Sequence, residues 1–345
     1  MPQPAWPVAA GLAAGLAADA LLGDPRRLHP VAGFGTLAVG LERRVHRDSR
    51  PVGAAYAAGL TITTAALGAA AVAGRSPRQL TAATALATWA VVGGTSLRRE
   101  AAAMTGLLEA GDLDGARRRL GHLCGRDPSS LDAAGLARAT VESVAENTSD
   151  AVVGPLVWGA IAGVPGLLGY RAVNTLDAMV GHRSPRYARF GWAAARTDDL
   201  ANLLPARLAA GLAVACAPLV GGRPRSALRA WRRDGGKHPS PNAGPVEAAF
   251  AGALGRTLGG RLSYAGRVED RPLLGDGPAP QVADIARAAR LSAAVSVAAA
   301  VVAALLAVGT RLAAYSLRSG AAGRSARSTA AARAAGGSVR SAAAA

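Results

Sequence analysis

The chain has 345 residues, half of them hydrophobic but only 4% aromatic, and a formal net charge of +17. That length can bury a sizeable core, but alanine and glycine dominate and dilute every hydropathy signal, so the class has to be read from uninterrupted apolar runs. The positive charge sits on arginines scattered between those runs and not on one amphipathic element, which argues against nucleic acid as a partner.

From the N-terminus, no basic region precedes the first apolar stretch and no small-residue cleavage site precedes Asp24, so no removable signal is expected. The first run, 5–23, is interrupted by Asp19. Charge-free runs follow at 51–74, 79–97, 151–170 and 291–310, each near the roughly 20 residues a helix needs to cross hydrocarbon. A shorter one lies at 208–222. Together they predict an all-α, polytopic membrane protein with about four to six membrane-embedded helices and helical cytosolic segments. A soluble bundle of buried alanine-rich helices would show similar runs, but four of them in one chain favour the bilayer.

Pro155, Pro165 and several glycines make the 151–170 segment a broken or re-entrant one. Between the runs, 100–123, divided at Gly111-Asp112, and 131–145 read as separate helical pieces. Arginine density puts 26–50, 98–138 and 223–290 on the cytosolic side. The segment 171–196 is arginine-rich as well, which fits a 151–170 segment that does not cross. Strand signals are sparse, and no internal repeat suggests an inverted-repeat transporter. Residues 1–317 read as one membrane-embedded domain, and 318–345, rich in Ser, Ala, Gly and Arg, as a disordered basic tail.

Cys124 and Cys216 stand far apart with no second ligand at metal spacing, so neither a disulfide framework nor a zinc site is predicted. The informative residues are the rare ones. Lysine occurs once, as Lys237, and asparagine four times, as Asn147, Asn174, Asn202 and Asn242. With arginine available for generic charge, a lone lysine suggests a site that needs a compact ammonium, as a phosphate would.

These five residues fall in four polar stretches: 142–150 (ESVAENTSD), 171–177 (RAVNTLD), 198–202 (DDLAN) and 237–242 (KHPSPN). Glu142, Glu146 and Asp150 recur at i, i+4 and i+8, so a helix would stack three carboxylates on one face. Such a stack suits a divalent cation such as Mg2+ with bound phosphates; a solvated acidic face partly paired with Arg138 fits the spacing equally well. Arg171, Asn174 and Asp177 share a face, as do Asp198 or Asp199 and Asn202, and each set is either a buried hydrogen-bond network or a site. In the fourth stretch two prolines stiffen a loop presenting Lys237, His238, Ser240 and Asn242, suited to capturing phosphate or carboxylate. His29, in a similar His-Pro-Val triplet, reads on its own as a structural interfacial histidine.

The four stretches, extended to 170–181 (YRAVNTLDAMVG), 190–202 (FGWAAARTDDLAN) with Pro205-Ala206-Arg207, and 234–244 (DGGKHPSPNAG), resemble the cobalamin-biosynthesis family called CobD or CbiB. Asp19-Ala-Leu-Leu-Gly-Asp24-Pro25 and His29-Pro30-Val31 extend the likeness, which covers about 18–275. Ala151, Gly154 and Ala178 depart from the family's pattern without touching a charged group.

The resemblance implies a multi-pass protein of the bacterial inner membrane with its active side toward cytosolic ATP. It would be an adenosylcobinamide-phosphate synthase, an amide ligase that condenses adenosylcobyric acid with aminopropanol phosphate or ethanolamine phosphate. ATP and Mg2+ are the expected cofactors, the corrinoid a substrate, the lipid bilayer and other late-pathway membrane enzymes the expected partners. On that reading Glu142, Glu146, Asp150, Asp177, Lys237 and His238 are catalytic. His29, Asn147, Arg171, Asn174, Arg196, Asn202, Ser240 and Asn242 bind substrate or phosphate, and Asp150, Asp198 and Asp199 hold the metal. A corrinoid-binding transporter or a non-catalytic scaffold for the other pathway enzymes remains the alternative.

Overall fold

The computed structural model describes residues 6–24, 29–125, 127–182, 184–264 and 267–342, with side chains up to 313 and outside 261–269. Helix α1 is Trp6–Leu22, and α2, Pro30–Val45, starts where the His29 imidazole accepts from the Val31 amide at 3.2 Å. The long α3, Arg50–Val72, is followed by α4, Pro77–Val91. The α4 start is fixed by Pro77 and a reciprocal cap between Ser76 and Gln79, which satisfies two amides that lack partners inside the helix.

The 79–97 run is divided rather than continuous. At Val92-Gly93 the chain leaves α4, the Gly93 amide donates to the Ala151 carbonyl at 3.1 Å, and α5 begins at Gly94 and runs to Glu109. The buried Asp19 carboxylate accepts from the amide and the hydroxyl of Thr95, both at 3.0 Å. The charge that weakens α1 as a span thus becomes a cap for α5. At Asp112 the expected break occurs: its side chain accepts from the Gly115 amide at 2.8 Å and starts α6, Leu113–Leu120.

Helix α7, Ala133–Thr148, continues through a π-helical turn, Ser149–Val153, into α8, Gly154–Leu176, and a second π turn, Asp177–Gly181. The pieces expected at 131–145 and 151–170 are therefore one helical path. It is broken inside the apolar part, as predicted there: Gly163 has φ 68° and ψ −148° just ahead of Pro165, a combination essentially confined to glycine.

Short α9, Trp192–Ala201, leads into α10, Leu203–Cys216, then α11, Pro224–Asp234, and α12, Ala243–Leu254. All twelve residues of α12 are buried; its alanines and glycines let α10 and α11 approach closely. An antiparallel hairpin, β1 Leu258–Tyr264 and β2 Arg267–Leu274, interrupts the otherwise helical chain. The sequence pattern did not signal it.

The last helix, α13, is Val282–Ala342. It lays Ile285, Ala288, Leu291, Val295, Ala299, Ala303 and Ala307 in one buried stripe against α1, α5, α7, α8 and α10, the spacing of a helix face. The segment 318–345, expected to be disordered, falls where side chains lie outside the described residues.

Among the described residues five helical stretches are long and apolar enough to cross a membrane: Arg50–Val72, Pro77–Glu109, Ala133–Gly181, Leu203–Val220 and Val282–Ala313. Ile62, Leu67, Leu86, Leu219 and Leu305 on them are exposed, which hydrocarbon tolerates and water does not favour. The protein is an α-helical, multi-pass membrane protein.

Candidate active site

Where α7, α8 and α9 meet, their polar residues turn toward one another. The Asn174 Nδ2 lies 3.4 Å from both Asp150 Oδ2 and Asp198 Oδ1. Asn202 donates from Nδ2 to Asp198 Oδ2 at 3.0 Å and accepts on Oδ1 from the Tyr170 hydroxyl at 2.7 Å. The Arg171 guanidinium reaches Asn174 Oδ1 at 3.5 Å, and its Nε is buried without a partner. Asp150 and Asp177 both sit in the π turns, wide turns that recur at functional sites.

Asp150, Asp177 and Asp198 lie within electrostatic reach of one another and of Glu146. Burial pushes the Asp198 carboxyl up to about 6, and the charges of Asp199 and Glu146 add to the rise; hydrogen bonds from Asn202 and Asn174 oppose it. Negative charge is concentrated here with one guanidinium beside it, an arrangement that favours a bound cation or a positively charged substrate group.

The stack expected at i, i+4 and i+8 is divided between two places. Glu142 is buried and accepts the Gly259 amide of the hairpin at 2.7 Å, whereas Asp150 faces Asn174. Among the described residues no three His, Cys, Asp or Glu side chains form a ready metal cage. The trio Asp150, Asp198 and Asp199 is not assembled as such, because the Asp199 carboxylate pairs with Arg196 at 3.2 Å. Magnesium needs only one or two carboxylates and keeps several waters, so Asp150 and Asp198, sharing one amide, still form a donor pair suited to it.

The 237–242 loop forms a second group. Lys237 Nζ is held at 2.8 Å by Asp234, which also takes Arg233 at 2.6 Å and the Gly275 amide at 3.0 Å. Bonding to Arg233 and Lys237 holds the Asp234 carboxyl well below the usual range. The lone lysine is thus already paired with a buried carboxylate, which it shares with Arg233, itself paired also with Asp276. His238 meets two donors, the Ser240 amide at 3.0 Å from Nδ1 and Arg271 Nη1 at 2.9 Å from Nε2. A neutral imidazole can accept from one of them and an imidazolium from neither. Burial and the Arg271 charge accordingly lower its pKa to about 4. The lowered pKa favours a neutral ring, suited to accepting a hydrogen bond rather than to supplying positive charge to a phosphate.

Ser240 caps α12, accepting from the Asn242 and Ala243 amides at 3.3 and 3.1 Å. Asn242 joins the two groups: its Nδ2 donates to the Asp199 carbonyl at 2.8 Å, and its Oδ1 accepts from Arg207 at 2.8 Å. Two expected site residues bond locally. Asn147 donates to Ser143 of its own helix at 2.9 Å, and His29 serves as the α2 cap, 3.8 Å from Asp24, which lies in electrostatic reach of Arg171. The sequence reading missed Tyr170, Arg207, Asp234 and Arg271. The first three lie just outside the polar stretches, at the ends of the longer motifs that carry the resemblance; Arg271, on the unpredicted hairpin, had no signal.

Fold and site together define a helical membrane protein with a carboxylate and asparagine cluster at a helix junction beside an arginine-lined loop. Residues 12–292 match the family described as CobD/Cbib protein, and the chain belongs to that family. It is 56% identical over 300 residues to a protein of Mycobacterium tuberculosis named cobalamin biosynthesis protein CobD, covering 86% of this chain and 95% of the relative. A protein of the same name from Chromobacterium violaceum is 45% identical over 282 residues, covering 79% and 88%. Another, from Geobacter metallireducens, is 45% identical over 265 residues, covering 75% and 83%. No solved structure matches the chain.

Proposed function

We propose that the protein acts in cobalamin biosynthesis as an adenosylcobinamide-phosphate synthase, forming the amide between adenosylcobyric acid and aminopropanol phosphate or ethanolamine phosphate at the expense of ATP. Besides the family, the observation that carries this reading is the convergence of Asp150 and Asp198 on the single Asn174 amide. Two carboxylates directed at one small group favour a bound cation, which would lower their mutual repulsion.

A carboxylate resists an amine until its oxygen becomes a leaving group. Transfer of the ATP terminal phosphoryl group to the corrin propionate would make an acyl phosphate and release ADP; attack by the free amine would then form the amide and release phosphate. Asp150 and Asp198 would hold the magnesium ion, which when bound supplies positive charge to the nucleotide phosphates. Asp177, in reach of the Asp198 and Asp199 charges, is assigned as the base that takes a proton from the incoming ammonium. Arg171 offsets phosphate charge, while Asn174 and Asn202 hold Asp198 in place. The site is assigned to the cytosolic face of the cytoplasmic membrane, where ATP is available.

The test supplies detergent-purified protein with adenosylcobyric acid, aminopropanol phosphate, ATP and Mg2+, omits each in turn, and detects adenosylcobinamide phosphate by mass spectrometry. Product that requires all four supports the synthase. Corrinoid binding without product from a folded sample would replace it with a non-catalytic scaffold or transporter.

A further inference from the structure

An open cleft of about 470 Å³ lies beside the 237–242 loop, lined by Arg207, Trp231, Arg232, His238 and the prolines Pro239 and Pro241, among others. Its volume falls in the range of small-molecule sites. None of its lining residues is a carboxylate. Among the described residues Arg207 bonds only to Asn242 Oδ1 and, at 3.3 Å, to the Leu203 carbonyl. Arg232 is exposed and has no ion pair among the described residues. Its sequence neighbours differ: Arg233 is paired with both Asp234 and Asp276, and Lys237 with Asp234. Excess positive charge therefore faces the cleft from two guanidiniums, not from the lysine.

Trp231 is half-buried and lies against Gly211 of α10 and Gly235, offering a fixed aromatic wall. Asn242 has both ends of its amide engaged, one bond to the Asp199 carbonyl and one from Arg207, so it holds the Arg207 fork in place.

We propose that this cleft binds a phosphate-bearing ligand, with its phosphate oxygens on Arg207 and Arg232, and that Asn242 is the positioning residue for Arg207. Guanidinium forks match phosphate oxygens in pairs, and a stiff proline-flanked wall loses little entropy on binding. That the ligand is the nucleotide or the aminoalcohol phosphate rests on the proposed synthase reaction; the anion site itself rests on the two arginines.

The test is calorimetric titration of the detergent-purified full chain with inorganic phosphate, aminopropanol phosphate and a non-hydrolysable ATP analogue in separate runs. At least one should bind, and which one identifies the source of the phosphate. Arg207→Ala and Arg232→Ala should each weaken it roughly tenfold to a hundredfold. Arg225→Ala, exposed on the same helix but outside the cleft, should change it less than about threefold. Asn242→Ala should weaken binding less than Arg207→Ala does and be additive with Arg232→Ala but not with Arg207→Ala. If Arg207→Ala fails to fold, the exposed Arg232 decides. Absence of binding by all three probes, or wild-type affinity in the arginine variants, overturns the site. Product formation at unchanged KM in those variants would reject the site and leave the synthase standing; arginine-dependent binding without any product would do the reverse.

Discussion

The Tyr170 hydroxyl donates to Asn202 Oδ1 at 2.7 Å, and that bond decides which way the Asn202 amide points. With its oxygen engaged, the amide turns Nδ2 to Asp198 at 3.0 Å. The tyrosine on α8 thus orients a carboxylate on α9 that it does not itself touch.

Tyr170→Phe keeps the ring and removes only the donor. It should cost about 1 to 3 kcal/mol of stability, since Asn202 Oδ1 is left buried and unpaired. If Asp198 has the assigned role, kcat should fall more than KM rises. A thermal melt and steady-state kinetics check both; an unchanged kcat with a lowered Tm would make the bond purely structural.

Asp198→Asn is expected to raise Tm above about pH 6 while abolishing turnover. A carboxyl raised in the fold binds more protons than the unfolded chain does between its ordinary value of 3.8 and about 6. Its contribution to stability therefore falls as pH rises through that window, and above it the fold holds an unfavourable charge. The neutral asparagine removes that charge and keeps the shape, at the cost of one of the two hydrogen bonds accepted from Asn174 and Asn202. Equal Tm for variant and wild type at pH 7.5 would contradict the buried-charge account.

His238 gives the opposite slope. Its pKa is about 4 in the fold against an ordinary 6.5, so the unfolded chain takes up a proton that the folded one refuses. Stability is full above about pH 6.5 and declines as pH falls toward about 4, by up to about 3 kcal/mol from this group. In His238→Gln, chemical denaturation followed from pH 7.5 to 4.5 should show a shallower decline. A parallel pair of curves would mean that the folded chain protonates this ring as readily as the unfolded one.

Gly163→Ala should destabilise the protein by about 1 to 3 kcal/mol, because its φ of 68° with ψ −148° excludes a Cβ. Space is not the issue: the nearest atom to an added Cβ would be Arg311 Nη2 at 3.6 Å. The neighbouring glycine pair behaves differently. At Gly11 and Gly15 of α1, Thr84 and Thr88 of α4 stand where a Cβ would go, so substitution there should separate two helices rather than strain one. Detergent melts of Gly163→Ala and Gly15→Ala check this; a Gly163→Ala protein as stable as wild type would show that α8 can run straight.

Much of the frame was legible in the chain. The apolar runs mark the long helices, because a bilayer demands contiguous apolar length and tolerates few charges. Pro165 with its glycine neighbours marks the broken helix, and Gly111-Asp112 marks the α5 to α6 boundary. The division at Gly93 was not legible, since it depends on Asp19, which lies 76 residues from Thr95 in the chain. Nor was the hairpin, whose single pair of strands leaves a faint periodicity.

Residue rarity pointed to the right stretches, and within them the local pattern could say only which residues share a helical face. That alone determined the membrane class, the family resemblance and the polar segments that matter. Only the tertiary structure decided who meets whom: Asp150 with Asn174 and Asp198, Glu142 with the hairpin, Lys237 with Asp234, and Asn242 with Arg207. The physical reason is that charge and hydrogen-bond partners act over a few ångströms. Packing brings such partners together from positions far apart in sequence, and whether a lysine or an arginine is left to meet a ligand depends on which carboxylate reaches it first.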